Sequence, residues 1–266
     1  MTFGPHAFNS ALTRSTVIGI LAITFAGCAT RAPQFERDPV AALQAVSVAT
    51  DHDAVTPDSR IIPDRRGGWE RRHDQLNDRT AQGGYDLMFI GDSITHFWET
   101  FGEEVWNEYY GDRNALNIGI SGDRTQHVLW RLENGNIDGI APKVAVLMIG
   151  TNNVSANSAR EIADGITAIV QKLNRELPDM KILILGVFPR ADVPQDLQDK
   201  LKEVNAAISA LHDGDRIHYL DISAAFLDDD GTLTVEVMPD LLHPQGHGYK
   251  LWAEAMEPTL TDLLEE

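Results

Sequence analysis

A three-layer α/β/α sandwich around a five-stranded parallel sheet is the α/β fold this sequence predicts, on three observations. Five short runs, at 87–90, 115–118, 144–149, 181–185 and 217–220, are apolar at nearly every position and end near Gly, Asn or Asp. Strands covered on both faces read this way, whereas a half-buried strand alternates. Segments of helical periodicity lie between the runs, and strand–helix alternation demands right-handed crossovers that cover both faces of one sheet. The 266 residues, 43% apolar and 23% charged, suffice for one large α/β domain, and no internal repeat or second domain is evident.

The elements follow in chain order. Arg14 is the only formally charged side chain before Cys28, and 17–26 is a short apolar run. A bilayer span needs about 20 such residues, so residues 1–27 read as an export signal peptide. Phe25-Ala26-Gly27-Cys28 resembles a bacterial lipoprotein box, with Phe25 where Leu is usual. That resemblance implies a lipidated Cys28, a membrane anchor and a location in the cell envelope; an ordinary secretory signal with an incidental Cys is the alternative. Residues 28–60, with Pro33, Pro39 and Pro57, read as the lipidated N-terminus and a flexible tether, and 61–266 as the folded domain. At 60–79, six Arg face four acidic residues, while Trp69, His73 and Leu76 recur at helical spacing, so an amphipathic helix packs on the domain edge.

Further on, Ser158 and Glu161 form a capping box that opens a helix striped by Ile162, Ile166, Ile169, Val170, Leu173 and Leu177, and Pro178 stops it. A second helix carries Leu197, Leu201, Val204, Ile208 and Leu211 and ends at Gly214. The last carries Tyr249, Trp252, Met256, Leu260 and Leu263.

Ligands of open parallel sheets bind outside the carboxyl ends of the strands. Gly91-Asp92-Ser93 follows the first run, Gly119-Ile120-Ser121-Gly122-Asp123 the second and Gly150-Thr151-Asn152-Asn153 the third; Asp240-Leu241-Leu242-His243 precedes the last helix. Four polar clusters thus converge on one edge. A serine hydroxyl attacks only when a base takes its proton, so Ser93 needs an imidazole, which His243 supplies and Asp240 orients. The amides of Ser93 and Gly122 and the side chain of Asn152 are the natural donors for a tetrahedral oxyanion. Asp92 shapes the turn and Asn153 supports its loop.

With these residues in this order, the chain resembles the SGNH (GDSL-type) esterase and lipase superfamily. Within it, the chain is most similar to the catalytic subunits of platelet-activating-factor acetylhydrolase, through 117–123, 127–132, 150–153 and 185–190. The resemblance covers about two-thirds of the chain. It implies a flavodoxin-like sheet, no metal or other cofactor, and hydrolysis of a small, short-chain (acetyl) ester through an acyl-serine. It also hints at a homodimer. A carbohydrate O-acetyl esterase of the envelope and a non-catalytic binding module on the same scaffold are the competing expectations. His247 departs from the pattern by standing in the Gly-rich turn after His243.

Several classes are excluded or disfavoured. The net charge of −18 opposes a nucleic-acid partner. A single cysteine forbids an intrachain disulfide and a Cys-based zinc site. His243 and His247 have the four-residue spacing of a zinc pair but no third strong ligand. Asp228-Asp229-Asp230-Gly231 lacks calcium-loop spacing and reads as a solvated turn. His96 and His127 lie near the site loops, and Trp98, Trp106 and Trp130 stand between line-of-site and core packing. The short segments between the four blocks leave no room for a large lid, so the site is expected to be open.

Overall fold

The computed structural model describes residue 43 and residues 46–60 and 67–265. The expected signal peptide and Cys28 lie outside the described residues. Strands β1 (Leu87–Gly91), β2 (Ala115–Asn117), β3 (Val144–Met148), β4 (Lys181–Leu185) and β5 (Ile217–Leu220) form one parallel sheet in the order β2-β1-β3-β4-β5. This is the flavodoxin-like order, and its direction of winding reverses between β1 and β3.

Helices α1 (Gly68–Thr80), α4 (Thr125–Glu133), α5 (Ala159–Glu176) and α6 (Gln195–Ile208) contribute to one core, and α3 (Glu103–Tyr109) and α7 (Gly246–Glu265) to the other, while the short α2 (Ser93–His96) directly follows β1. Each strand divides its side chains between the two cores. Met88, Ile90, Ala145, Leu147, Ile182 and Ile184 pack with α5 and its neighbours, whereas Leu87, Phe89, Val144, Val146, Leu183 and Leu185 pack with α7. The period-2 geometry of a strand thus explains why nearly every position is apolar: both faces are covered.

Local signals set the helix ends. Ser158 Oγ accepts from Glu161 N (3.3 Å) and Glu161 returns a carboxylate to Ser158 N (2.7 Å), closing the expected capping box at α5. In α1, Trp69, His73 and Leu76 turn inward as their spacing predicts. Arg72 is buried with them, because Glu99 takes its guanidinium in two hydrogen bonds of 2.7 and 2.8 Å.

The expectation of a tether up to residue 60 needs correction. Ala54 is fully buried; its carbonyl accepts from Thr125 Oγ1 (2.7 Å), and Asp53 accepts from Asn157 Nδ2 (2.7 Å) and Gln126 Nε2 (3.2 Å). The strap lacks hydrophobic periodicity because polar side chains and backbone groups hold it against α4 and α5. His247 also differs from expectation: it is the second residue of α7 rather than part of a turn.

Candidate active site

The carboxyl ends of β1 and β3 flank the point where the strand order reverses, and both lead into site loops. Gly91 closes β1 where no side chain fits: a Cβ there would lie 2.1 Å from Thr95 Oγ1 and 2.4 Å from the Met148 carbonyl. Asp92 caps the next turn, its Oδ1 accepting from Ile94 N at 3.0 Å. Ser93 is therefore the first residue of α2 rather than its cap, and its amide has no carbonyl one turn earlier within the helix. Its side chain is 7% exposed.

Across 150 positions of sequence, the Ser93 Oγ meets His243 Nε2 at 2.9 Å. His243 Nδ1 lies 2.6 Å from Asp240 Oδ2, and Asp240 Oδ1 accepts from the amides of Leu242 (3.1 Å) and His243 (2.7 Å). With Nδ1–H donating to the carboxylate, the Nε2 lone pair faces the hydroxyl. Burial acts to raise the Asp240 pKa, but hydrogen bonds from the His243 ring and the two amides outweigh it, so the carboxyl sits below its ordinary value. The loop is strained at Leu241, a bulky residue at φ +59°. Ala191 N, donating to the Leu241 carbonyl at 2.9 Å, helps to hold it. The Phe97 ring stands 5.3 Å from the imidazole.

The other two predicted residues belong to the same rim. Gly122 has φ +79°, which favours glycine, and a Cβ there would fall 2.6 Å from Arg60 Nη1. Asn152 directs its amide to the Asp123 carbonyl (2.9 Å) and, more weakly, to Asp92 Oδ2 (3.4 Å). Asp123 is itself anchored: Arg131 Nε donates to Oδ2 (2.7 Å) and Trp69 Nε1 to Oδ1 (2.6 Å). The wholly buried Arg131 also reaches the carbonyls of Ile118 (2.8 Å) and Gly91 (3.3 Å), tying together the loops after β1 and β2. Burial, with repulsion from Asp123, pushes the Asp92 carboxyl up to about 7.

Sequence reasoning missed this bracing layer of Arg131, Asp123, Trp69 and Arg190. Arg190 Nη1 donates to the Thr151 carbonyl (3.0 Å), beside Asn152. The available signal was an arginine in an otherwise apolar helical segment, which is tolerable in a core only when paired. Asn153 does support its loop, bonding Thr125, Gln126 and Asn157. His96 Nδ1 contacts Ser121 Oγ (3.0 Å), and His127 Nδ1 accepts from Arg124 N (2.9 Å). Trp98 and Trp106 pack in the α7-side core, and Trp130 packs on Trp69 and His73. Asp228 Oδ1 accepts from the amides of Asp230 and Thr232, which makes the acidic run a turn.

A sheet of this order with a serine–histidine–aspartate chain at its switch point defines a class of ester hydrolases. The model of the GDSL-like Lipase/Acylhydrolase family matches residues 89–251, and the chain belongs to that family. It is similar to the platelet-activating factor acetylhydrolase IB subunit alpha2 of Homo sapiens, with 38% identity over 199 residues, 74% of this chain and 86% of the relative. The alpha1 subunit of Rattus norvegicus is 38% identical over 201 residues, 75% and 85% of the two chains. Among solved structures, a GDSL-like lipase from Bacteroides thetaiotaomicron shares the fold with a TM-score of 0.61 at 19% identity, covering 71% of this chain and 97% of that one. A catalytic variant of an acetylxylan esterase from Geobacillus stearothermophilus does so at 0.54 and 19%, over 66% and 94%.

Proposed function

We propose that this acylhydrolase removes short acyl groups, acetyl foremost, from an ester through an acyl-serine intermediate. The observation that carries the reading is the unbroken chain from Ser93 Oγ through His243 to Asp240. As Ser93 Oγ bonds to the acyl carbon, its proton passes to His243 Nε2 and the carbonyl electron pair moves onto oxygen. The amides of Ser93 and Gly122 and the Asn152 side chain receive that oxyanion. When the tetrahedral species collapses, the bond to the alcohol oxygen breaks and the Nε2 proton leaves with the alcohol. Water then attacks the acyl-serine, yielding its proton to Nε2, and Ser93 regains a proton as the carboxylic acid departs. Asp240 stays ionised and stabilises the imidazolium.

Two features support a short acyl group. Beneath α2, the core is filled by Phe89, Trp98, Trp106, Tyr110, Tyr249 and Trp252, packing that favours a short acyl group over a long chain directed inward. Both named relatives are acetylhydrolase subunits. A p-nitrophenyl ester series from acetate to palmitate tests the reading. Acetate should be preferred, and Ser93→Ala should lose at least about 10³-fold in kcat. Undiminished activity in that variant sinks the mechanism, and preference for palmitate sinks the acyl assignment.

The sequence at 17–28 supports placing this activity at the cell envelope on a lipid anchor. If so, a Cys28→Ser variant moves from the membrane fraction to the soluble one; unchanged membrane attachment contradicts it.

A further inference from the structure

A cavity of about 770 Å³ opens between α6, β5 and the loop that follows β5, outside the serine–histidine–aspartate chain. Its partition from the site is the segment 189–191, which Arg190 ties to Thr151 on one side and Ala191 to Leu241 on the other. The cavity is therefore a neighbour of the rim that holds Asn152 and His243.

Its chemistry is specific in what it lacks. Both cations on the wall are neutralised: Arg190 Nη2 bonds Asp192 at 2.6 Å, and Lys202 bonds Asp199 at 2.8 Å. The carboxylate of Asp221 also lines the space and repels anions. What remains is neutral and two-sided. The hydroxyls of Ser223 and Thr232 line the cavity and have no side-chain hydrogen bond among the described residues, and the Gln198 amide oxygen is likewise unused, since only Nε2 is bonded, to the Val193 carbonyl. Leu201 and Leu233 supply apolar wall, with the half-buried ring of Tyr219 between. A ligand that matches these surfaces has hydroxyls at its edges, which the Asp221 carboxylate can also accept from, apolar C–H faces and no negative charge. An anionic glycan or lipid headgroup meets no free cation here, and a plain acyl chain would leave the free hydroxyls unmatched.

We infer that this cavity binds a neutral sugar, at a site of its own beside the rim.

The test uses the full chain carrying Ser93→Ala, titrated calorimetrically with xylotetraose, cellotetraose and chitotetraose, and with trigalacturonate and decanoate as the charged and acyl-chain competitors. At least one neutral tetrasaccharide should bind. Adding Ser223→Ala and Thr232→Val should weaken it by about tenfold, the equivalent of one or two lost hydrogen bonds. In protein that retains Ser93, the same pair of substitutions should leave p-nitrophenyl acetate hydrolysis within about twofold, because neither residue touches the reacting atoms. Heat from none of the three neutral sugars at 10 mM, on the order of the weakest specific affinities, overturns the proposal. So does equal binding of trigalacturonate or decanoate, or sugar affinity indifferent to the double substitution. If sugar binds but Ser93→Ala retains full esterase activity, the cavity assignment stands and the catalytic reading alone fails.

Discussion

At Asn152, one side chain serves two masters in the proposed mechanism: its amide is held by the Asp123 carbonyl and would also face the oxyanion. Replacing it by Ala removes a donor that matters most when negative charge develops. The expected loss is about 10²–10³-fold in kcat with KM little changed, measured by steady-state hydrolysis of p-nitrophenyl acetate. A rise in KM alone would assign Asn152 to ground-state binding instead. Gly122 is the second sensitive position. Gly122→Ala holds a side-chain-bearing residue at φ +79° and displaces the Arg60 guanidinium, 2.6 Å from the new methyl, so the turn is strained. Activity should fall by at least about tenfold while the melting temperature moves by a few degrees, since the cost falls on the turn and not on either core. These residue types were legible in the sequence, because the candidate nucleophile and donors stood next to predicted strand ends and the candidate base and orienting acid just before the last helix. Leu241 was not legible: nothing in its neighbours announces a leucine at φ +59°, which the surrounding hydrogen bonds impose.

Among the elements, α4 does more than cover the sheet. Its buried Arg131 joins Asp123, Ile118, Asn136 and Gly91, so the loops after β1 and β2 share one anchor. Arg131→Leu leaves the Asp123 carboxylate buried with the Trp69 indole as its one close donor among the described residues and His127 Nδ1 at 3.9 Å, and should cost about 3–5 kcal/mol in urea unfolding. Restoring more than half of that loss with a second change, Asp123→Asn, would show that the unpaired charge is the main cause. A variant as stable as the parent would mean that the pair is neutral in this site. The strands, the capping box of α5 and the stripes of α5 and α7 were readable because hydrophobic periodicity reports burial directly. The strap at 52–58 was not, since its hydrogen bonds come from α4 and the loop that enters α5, far along the chain.

For the whole molecule, burial of ionisable groups sets the pH dependence of stability. Burial lowers His73, His96 and His127 from 6.5 to about 4. Below pH 6.5 the unfolded chain binds protons that the native state refuses, so their stabilising contribution is complete above 6.5 and disappears as pH falls through about 4. Asp92 acts in the opposite sense. Raised from 3.8 to about 7, it favours the native state fully below 3.8 and loses that contribution as pH rises through about 7. Burial raises the Asp123 carboxyl too, so it acts in the same sense as Asp92. Three groups oppose two between pH 4 and 6.5, so urea midpoints should drop on acidification across that interval. His127→Gln should make the slope shallower, and Asp92→Asn should make it steeper. A flat profile in the parent protein would contradict these shifts.

The sequence by itself determined the three-layer class, five strands and the principal helices, and it singled out the serine, histidine and aspartate that the structure brings together. Each of these is written in local terms, as apolar runs, periodic stripes, caps, and functional side chains beside strand ends. The tertiary structure alone decided that Ser93 and His243 stand 2.9 Å apart, that Arg131 and Asp123 brace the rim, and that residues 52–58 pack on the domain. Those outcomes depend on strand order and long-range polar pairing. Neither leaves a periodic trace in the chain, because a hydrogen bond between distant residues constrains two positions and nothing in between.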